Sequence, residues 1–143
     1  MHIHLIGLQE TRLPRSSGFA NGFWMISGGH DKHNLGCSLL VNLDIPYINS
    51  SCQRRYLAPR HFKILHQHPR LLIVRLSAPG LHRTLAIAHA PHSDSTDEKC
   101  DNFWVLLNNA TDKFAVDLLL IDANGTTGEI VSQHIEAATS IGI

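Results

Sequence analysis

The chain has 143 residues, 43% of them hydrophobic and 17% charged, with no formal net charge. That is the length and make-up of one globular domain, 1–143, able to bury a core, and it excludes a disordered chain. It also excludes a globally basic nucleic-acid binder, so any such binding has to be local and salt-sensitive.

Met1–Leu8 alternates and then turns apolar, which predicts a strand ending at Gln9-Glu10-Thr11-Arg12. A Pro/Ser/Gly loop follows through Gly18. Gly22–Ser27 is the second predicted strand, with Gly28-Gly29-His30-Asp31 as its turn, and Leu35–Val41 is the third. Asn42–Pro59 is less regular and predicts a loop, or a loop with one edge strand. His61–His66 and Arg70–Leu76 are strands around the turn Gln67-His68-Pro69, and Ser77-Ala78-Pro79-Gly80 turns the chain into Thr84–His89. Ser95 or Thr96 is placed to cap a helix reaching about Lys113, with Phe103, Trp104, Leu106, Leu107 and Ala110 as its apolar stripe. Val116–Ile121 follows, an apolar run whose bounds predict a strand buried on both faces. Ile130–Ala138 reads as a short helix. This order predicts an α/β layered sandwich with largely antiparallel pairing.

The remaining composition narrows the chemistry. Cys37, Cys52 and Cys100 are far apart with no C-x-x-C, which argues against a disulfide framework or a thiolate zinc site. His61, His66 and His68 lack a supporting carboxylate or a second half-site, so zinc is not expected there. No run is long enough to span a membrane, and Met1–Leu8 lacks the basic flank and long apolar core of a signal peptide. An intracellular location, cytoplasm or nucleus, is the expectation.

Three polar motifs sit at strand ends: Glu10 after the first strand, His89-Ala90-Pro91-His92 after the sixth, and Asp122-Ala123-Asn124 after the last. In an extended backbone Asp122 and Asn124, two apart, point the same way. A carboxylate pair such as Glu10 and Asp122 suits Mg²⁺, which takes one or two carboxylates plus waters and phosphate oxygens. A nearby imidazole can donate to a phosphoryl oxygen, and a carboxamide can orient an attacking water. Each residue also has a purely structural alternative. Asp-x-Asn-Gly is a common turn, Glu10 can be a surface residue, and His89 can cap a strand before a proline turn.

The ordered motifs L-Q-E-T-R (Leu8–Arg12), H-A-P-H (His89–His92) and L-L-I-D-A-N (Leu119–Asn124) resemble the endonuclease/exonuclease/phosphatase superfamily, closest in wording to its retrotransposon-type endonucleases. The resemblance implies a partial four-layer α/β sandwich, two mainly antiparallel sheets flanked by helices. It implies Mg²⁺-dependent phosphodiester hydrolysis, with Mn²⁺ able to substitute, and nucleic acid, DNA in particular, as substrate. By it, Glu10 matches the metal-binding glutamate, Asp122 and Asn124 match the pair that aligns water and supports the transition state, and His89 falls where a tyrosine or histidine contacts the scissile phosphate. It also implies partners this chain does not match: an asparagine that would lie upstream of Met1, and a terminal Asp-His pair that activates water. After Asp122 only Glu129, His134 and Glu136 are available, and no aspartate precedes His134. The chain is therefore expected to be the middle of the fold, with a catalytically inactive remnant as the alternative reading.

Overall fold

The computed structural model describes residues 3–30 and 35–125. Two four-stranded sheets carry the fold. The first has the order β1-β4-β3-β2, with β1 at Leu5–Leu8, β2 at Ser16–Ala20, β3 at Phe23–Ser27 and β4 at Ser38–Val41. All three of its pairings are antiparallel. The second sheet has the order β10-β9-β8-β7, from β7 (Phe62–His68), β8 (Leu71–Ala78), β9 (Leu81–His89) and β10 (Leu118–Asp122). The strands β7, β8 and β9 form an antiparallel meander, whereas β10 lies parallel to β9. A parallel neighbour needs a crossover, and α1, Asp97–Phe114, supplies it. A small hairpin, β5 (Pro46–Asn49) and β6 (Arg54–Tyr56), joins the sheets; Tyr47 Oη and Arg55 Nη1 both donate to the carbonyl of Pro79 at 3.0 Å.

The two-residue period of β8 and β9 makes the layers. Leu72, Val74, Leu85 and Ile87 face the first sheet and pack with Ile26, Leu39 and Val41. Leu71, Ile73, Ala86 and Ala88 face the other way and are covered by Phe103, Leu107 and Ala110 of α1. The result is sheet on sheet with a helix outside, an α/β fold, and the helical layer on the far side of the second sheet is the one present among the described residues.

Several sequence expectations shift. A strand, β2, occupies the Pro/Ser/Gly loop, because Ser16–Ala20 pairs with β3 in spite of its turn-forming composition. The irregular stretch holds a hairpin rather than one edge strand. The turn after β7 moves to Pro69-Arg70, since β7 runs through His68. Thr96 is the N-cap of α1, but its side chain makes no capping hydrogen bond; α1 closes on Ala115 in the left-handed conformation. The expectation for 116–121 is corrected most. Strand β10 is not buried on both faces: among the described residues it is the edge of its sheet, and Leu118 and Leu119 remain 40% and 37% exposed. Four apolar residues in a row mark a strand, but apolar side chains are often left on surfaces, so the run alone does not bury it. The helix read over Ile130–Ala138 lies outside the described residues.

The close approach of the two sheets is set at Gly7 on β1. A Cβ built there would stand 2.9 Å from Leu120 Cδ1 and 3.0 Å from Leu120 Cβ on β10. Leu120 Cβ cannot swing aside without moving its strand, so a methyl group at this point forces the sheets apart. Gly7→Ala is expected to destabilise the chain by about 1–3 kcal/mol, read as a lower urea midpoint, the usual range for overpacking a core. Gly18→Ala, where nothing lies within 4 Å of the added carbon, is expected to stay within about 0.5 kcal/mol of the parent.

Candidate active site

The site forms where β1, β9 and β10 end together. In the β9–β10 register Asp122 is the direct partner of His89, as Leu120 is of Ile87 one pleat earlier. Leu120 and Ile87 both belong to the core between the sheets, so the alternation sends Asp122 and His89 toward the first sheet as well. There β1 leads into Glu10. Gln9 Nε2 donates to the Leu120 carbonyl at 3.5 Å, which ties the start of the Q-E-T-R turn to β10.

Glu10 Oε1 lies 3.6 Å and Asp122 Oδ2 4.0 Å from His89 Nε2. Both separations exceed hydrogen-bonding length, and the contacts become ion pairs only when His89 is protonated. The two carboxylates are half exposed, 51% and 49%, while the histidine is 2% exposed. His89 thus lies beneath the carboxylates rather than beside them on the surface. Neither of its ring nitrogens has a hydrogen-bond partner among the described residues.

Burial lowers the His89 pKa, and the Arg70 guanidinium adds to the effect; Glu10 and Asp122 pull the other way, and His92 lowers it slightly further. Burial and Arg70 outweigh the carboxylates, so the ring is neutral at physiological pH. A neutral imidazole keeps one N–H donor and one bare nitrogen.

Asn124 departs from the extended geometry. Its φ of +47° turns the chain after the strand. Its backbone N–H donates to Asp122 Oδ1 at 3.1 Å, and its Nδ2 donates to the Ala90 carbonyl at 2.8 Å. Asp122 and Asn124 therefore do not project side by side; the amide reaches across to the H-A-P-H motif and locks it to the end of β10. The turn and the site are the same structure: local Asx-type bonding fixes the Asp122 carboxylate. The second Nδ2 hydrogen and Oδ1 of Asn124 have no bond among the described residues.

Sequence reasoning missed the braces around these residues. Arg70, read only as the start of a strand, donates through Nη1 to the carbonyls of His89 and Ala90 at 3.2 and 3.1 Å. The His89 N–H donates in return to the Arg70 carbonyl at 3.0 Å. Gly36 is the other brace. It accepts from the Thr11 N–H, donates to Pro69, and adopts φ +106°, with a notional Cβ 3.0 Å from Thr11 Oγ1. The visible signals were a glycine before a buried strand and an arginine after a turn proline. Arg12 is exposed; its N–H donates to Leu35. Cys37 is fully buried, and burial pushes its thiol up to about 12 against the pull of Arg70, so it offers no thiolate. His61 and His68 each accept a backbone N–H at Nδ1, from Ala58 and Arg70.

Among the described residues, no three of His, Cys, Asp and Glu are grouped so as to enclose a metal ion. The donor set fits a hard cation held by few protein ligands: two half-exposed carboxylates converge on one buried, unbonded imidazole nitrogen. Comparisons with protein-family profiles, curated proteins and solved structures return no match.

Because the folded state resists charging His89, the unfolded chain binds that proton more readily. The corresponding stability is present above the ordinary histidine value near 6.5 and is lost as pH falls toward the lowered folded value. In EDTA, the urea midpoint is expected to fall between about pH 7.5 and 5.5, and His89→Gln is expected to flatten part of that slope. An unchanged slope in the variant would mean that His89 is neither neutral nor protected.

Proposed function

We propose that this chain carries the site of a Mg²⁺-dependent phosphodiester hydrolase of endonuclease type, with nucleic acid as substrate. The observation that supports the reading most is the convergence of the three resemblance motifs. Glu10, His89 and Asp122 come from positions far apart in the sequence and meet within 4.0 Å of one nitrogen.

In this reading Glu10, with Asp122 beside it, would hold Mg²⁺, which when bound neutralises phosphate charge and favours the developing negative charge of the transition state. The protein's own parts are positional. The Asn124 N–H on Oδ1 holds one oxygen of Asp122 in place, leaving Oδ2 to accept a hydrogen bond from an incoming water. Asn124, clamped to Ala90 by one N–H, retains its second N–H and Oδ1 for water or a phosphoryl oxygen. His89, neutral and buried, offers no positive charge. It lies beneath the two carboxylates, and contact with phosphate requires the ligand to enter between them. Zero net charge means that such binding relies on local contacts and weakens with salt.

The alternative reading is a catalytically inactive remnant of that fold, retaining at most metal or partner binding. The deciding measurement is nicking of supercoiled plasmid in Mg²⁺ against EDTA, by the parent, Asp122→Ala and Glu10→Gln. The hydrolase reading expects slow nicking that requires the metal and disappears in Asp122→Ala, with Glu10→Gln shifting the metal dependence to higher concentration. A folded parent that nicks no faster in Mg²⁺ than in EDTA would sink nuclease activity for this chain and favour the remnant.

A further inference from the structure

A cavity lies on the helix-covered face of the second sheet, away from the carboxylates. It has a volume of about 320 Å³ and sits where the first turns of α1 pass the β7–β8 turn. Its polar lining is His68, Arg70, Lys99 and Asn102, with Pro91 and Phe103 as apolar wall. No acidic residue is among its described lining.

Three features give this lining a chemical preference. Arg70 is already oriented, because its two Nη1 hydrogens are committed to the carbonyls of His89 and Ala90. Its Nη2 and Nε hydrogens have no partner among the described residues, which leaves the edge of a fixed guanidinium available. Lys99 makes no ion pair among the described residues, although Asp97, Glu98 and Asp101 are close in sequence on the same helix. The Asn102 amide likewise has no bond among them and adds a neutral donor. Two permanent cations and an amide suit a doubly charged oxyanion better than a single carboxylate, and arginine recognises phosphate through paired N–H groups. The buried Phe103 and Pro91 then provide contact for an organic body, and the volume is at the lower end of the range for small-ligand pockets.

We infer that this cavity, built by Arg70, Lys99 and Asn102 over Phe103 and Pro91, binds a phosphate monoester of about mononucleotide size. Such a group carries close to two negative charges at neutral pH. The inference does not rest on the hydrolase reading, because Glu10, His89 and Asp122 do not line the cavity.

The test is calorimetric titration of the whole chain in EDTA with adenosine monophosphate, inorganic phosphate and adenosine as separate probes. EDTA removes any route through a cation at Glu10, so the outcome is independent of nuclease activity. Adenosine monophosphate is expected to bind more tightly than phosphate, and adenosine least. Lys99→Glu and, separately, Asn102→Asp are expected to weaken the monophosphate by roughly tenfold or more, as a charge-assisted contact gives way to repulsion. Both positions are exposed on the helix, and circular dichroism is the check that the variants are folded. Binding no tighter than that of inorganic phosphate, binding indifferent to both substitutions, or no binding by the folded parent would each overturn the assignment.

Discussion

The parallel pairing of β10 with β9 is the constraint on which the candidate site depends. It is the one parallel ladder among the described strands, and its register sets Asp122 against His89. A slip of one residue would send Asp122 to the helix side of the sheet and bring Ile121 to the carboxylate cluster, since side chains alternate faces. Helix α1 enforces the pairing by packing Phe103, Leu107 and Ala110 onto Leu71, Ile73, Ala86 and Ala88. The outer core thus reaches the site directly: Ala88 and Ala90 flank His89, and Ile121, packed against the same cluster, precedes Asp122.

A second set of bonds holds the loops that no strand reaches. The Q-E-T-R turn bonds to Gly36, Gly36 bonds to Pro69, and the next residue, Arg70, exchanges bonds with His89. This is a continuous chain of backbone contacts around the ends of the strands. The left-handed residues Glu10, Arg12 and Leu35 stand on it. Non-glycine residues in that conformation are uncommon, and the bonds on either side over-determine them here. The same ring places Arg70 between the carboxylate cluster and the cavity under α1, with Nη1 committed to the His89 and Ala90 carbonyls and Nη2 and Nε without a hydrogen bond among the described residues.

Much of this was legible in the sequence. Strands β3, β4, β8 and β9 and helix α1 announced themselves by apolar period, and the three polar motifs at strand ends were the ones that meet. What stayed hidden has physical reasons. β2 is built from serines and a glycine, residues whose local preference is for turns, and only pairing with β3 makes it a strand. The burial of β10 was overread because apolarity reports tendency, whereas exposure depends on whether a neighbour covers the strand. Asn124 was misdirected by extending strand geometry beyond the strand's last residue, into a turn with positive φ. Arg70 and Gly36 act through backbone carbonyls and amides, and the identity of a side chain says little about which distant carbonyl it will meet. The depth of His89 was equally invisible, since histidine is at home on surfaces and in cores alike.

Gly7 and Leu120 have a consequence for how the chain acquires its function. Their contact, with the neighbouring Gln9–Leu120 bond spanning 111 positions in sequence, closes nearly the longest loop the described chain contains. The meander β7–β8–β9 assembles from short-range contacts, whereas β1 docks on β10 only after the full entropy of that closure has been met. Glu10 joins His89 and Asp122 in this same event. A nascent or partly folded chain with its meander complete would therefore hold both halves of the site and no site, so the carboxylate cluster forms only in the finished fold.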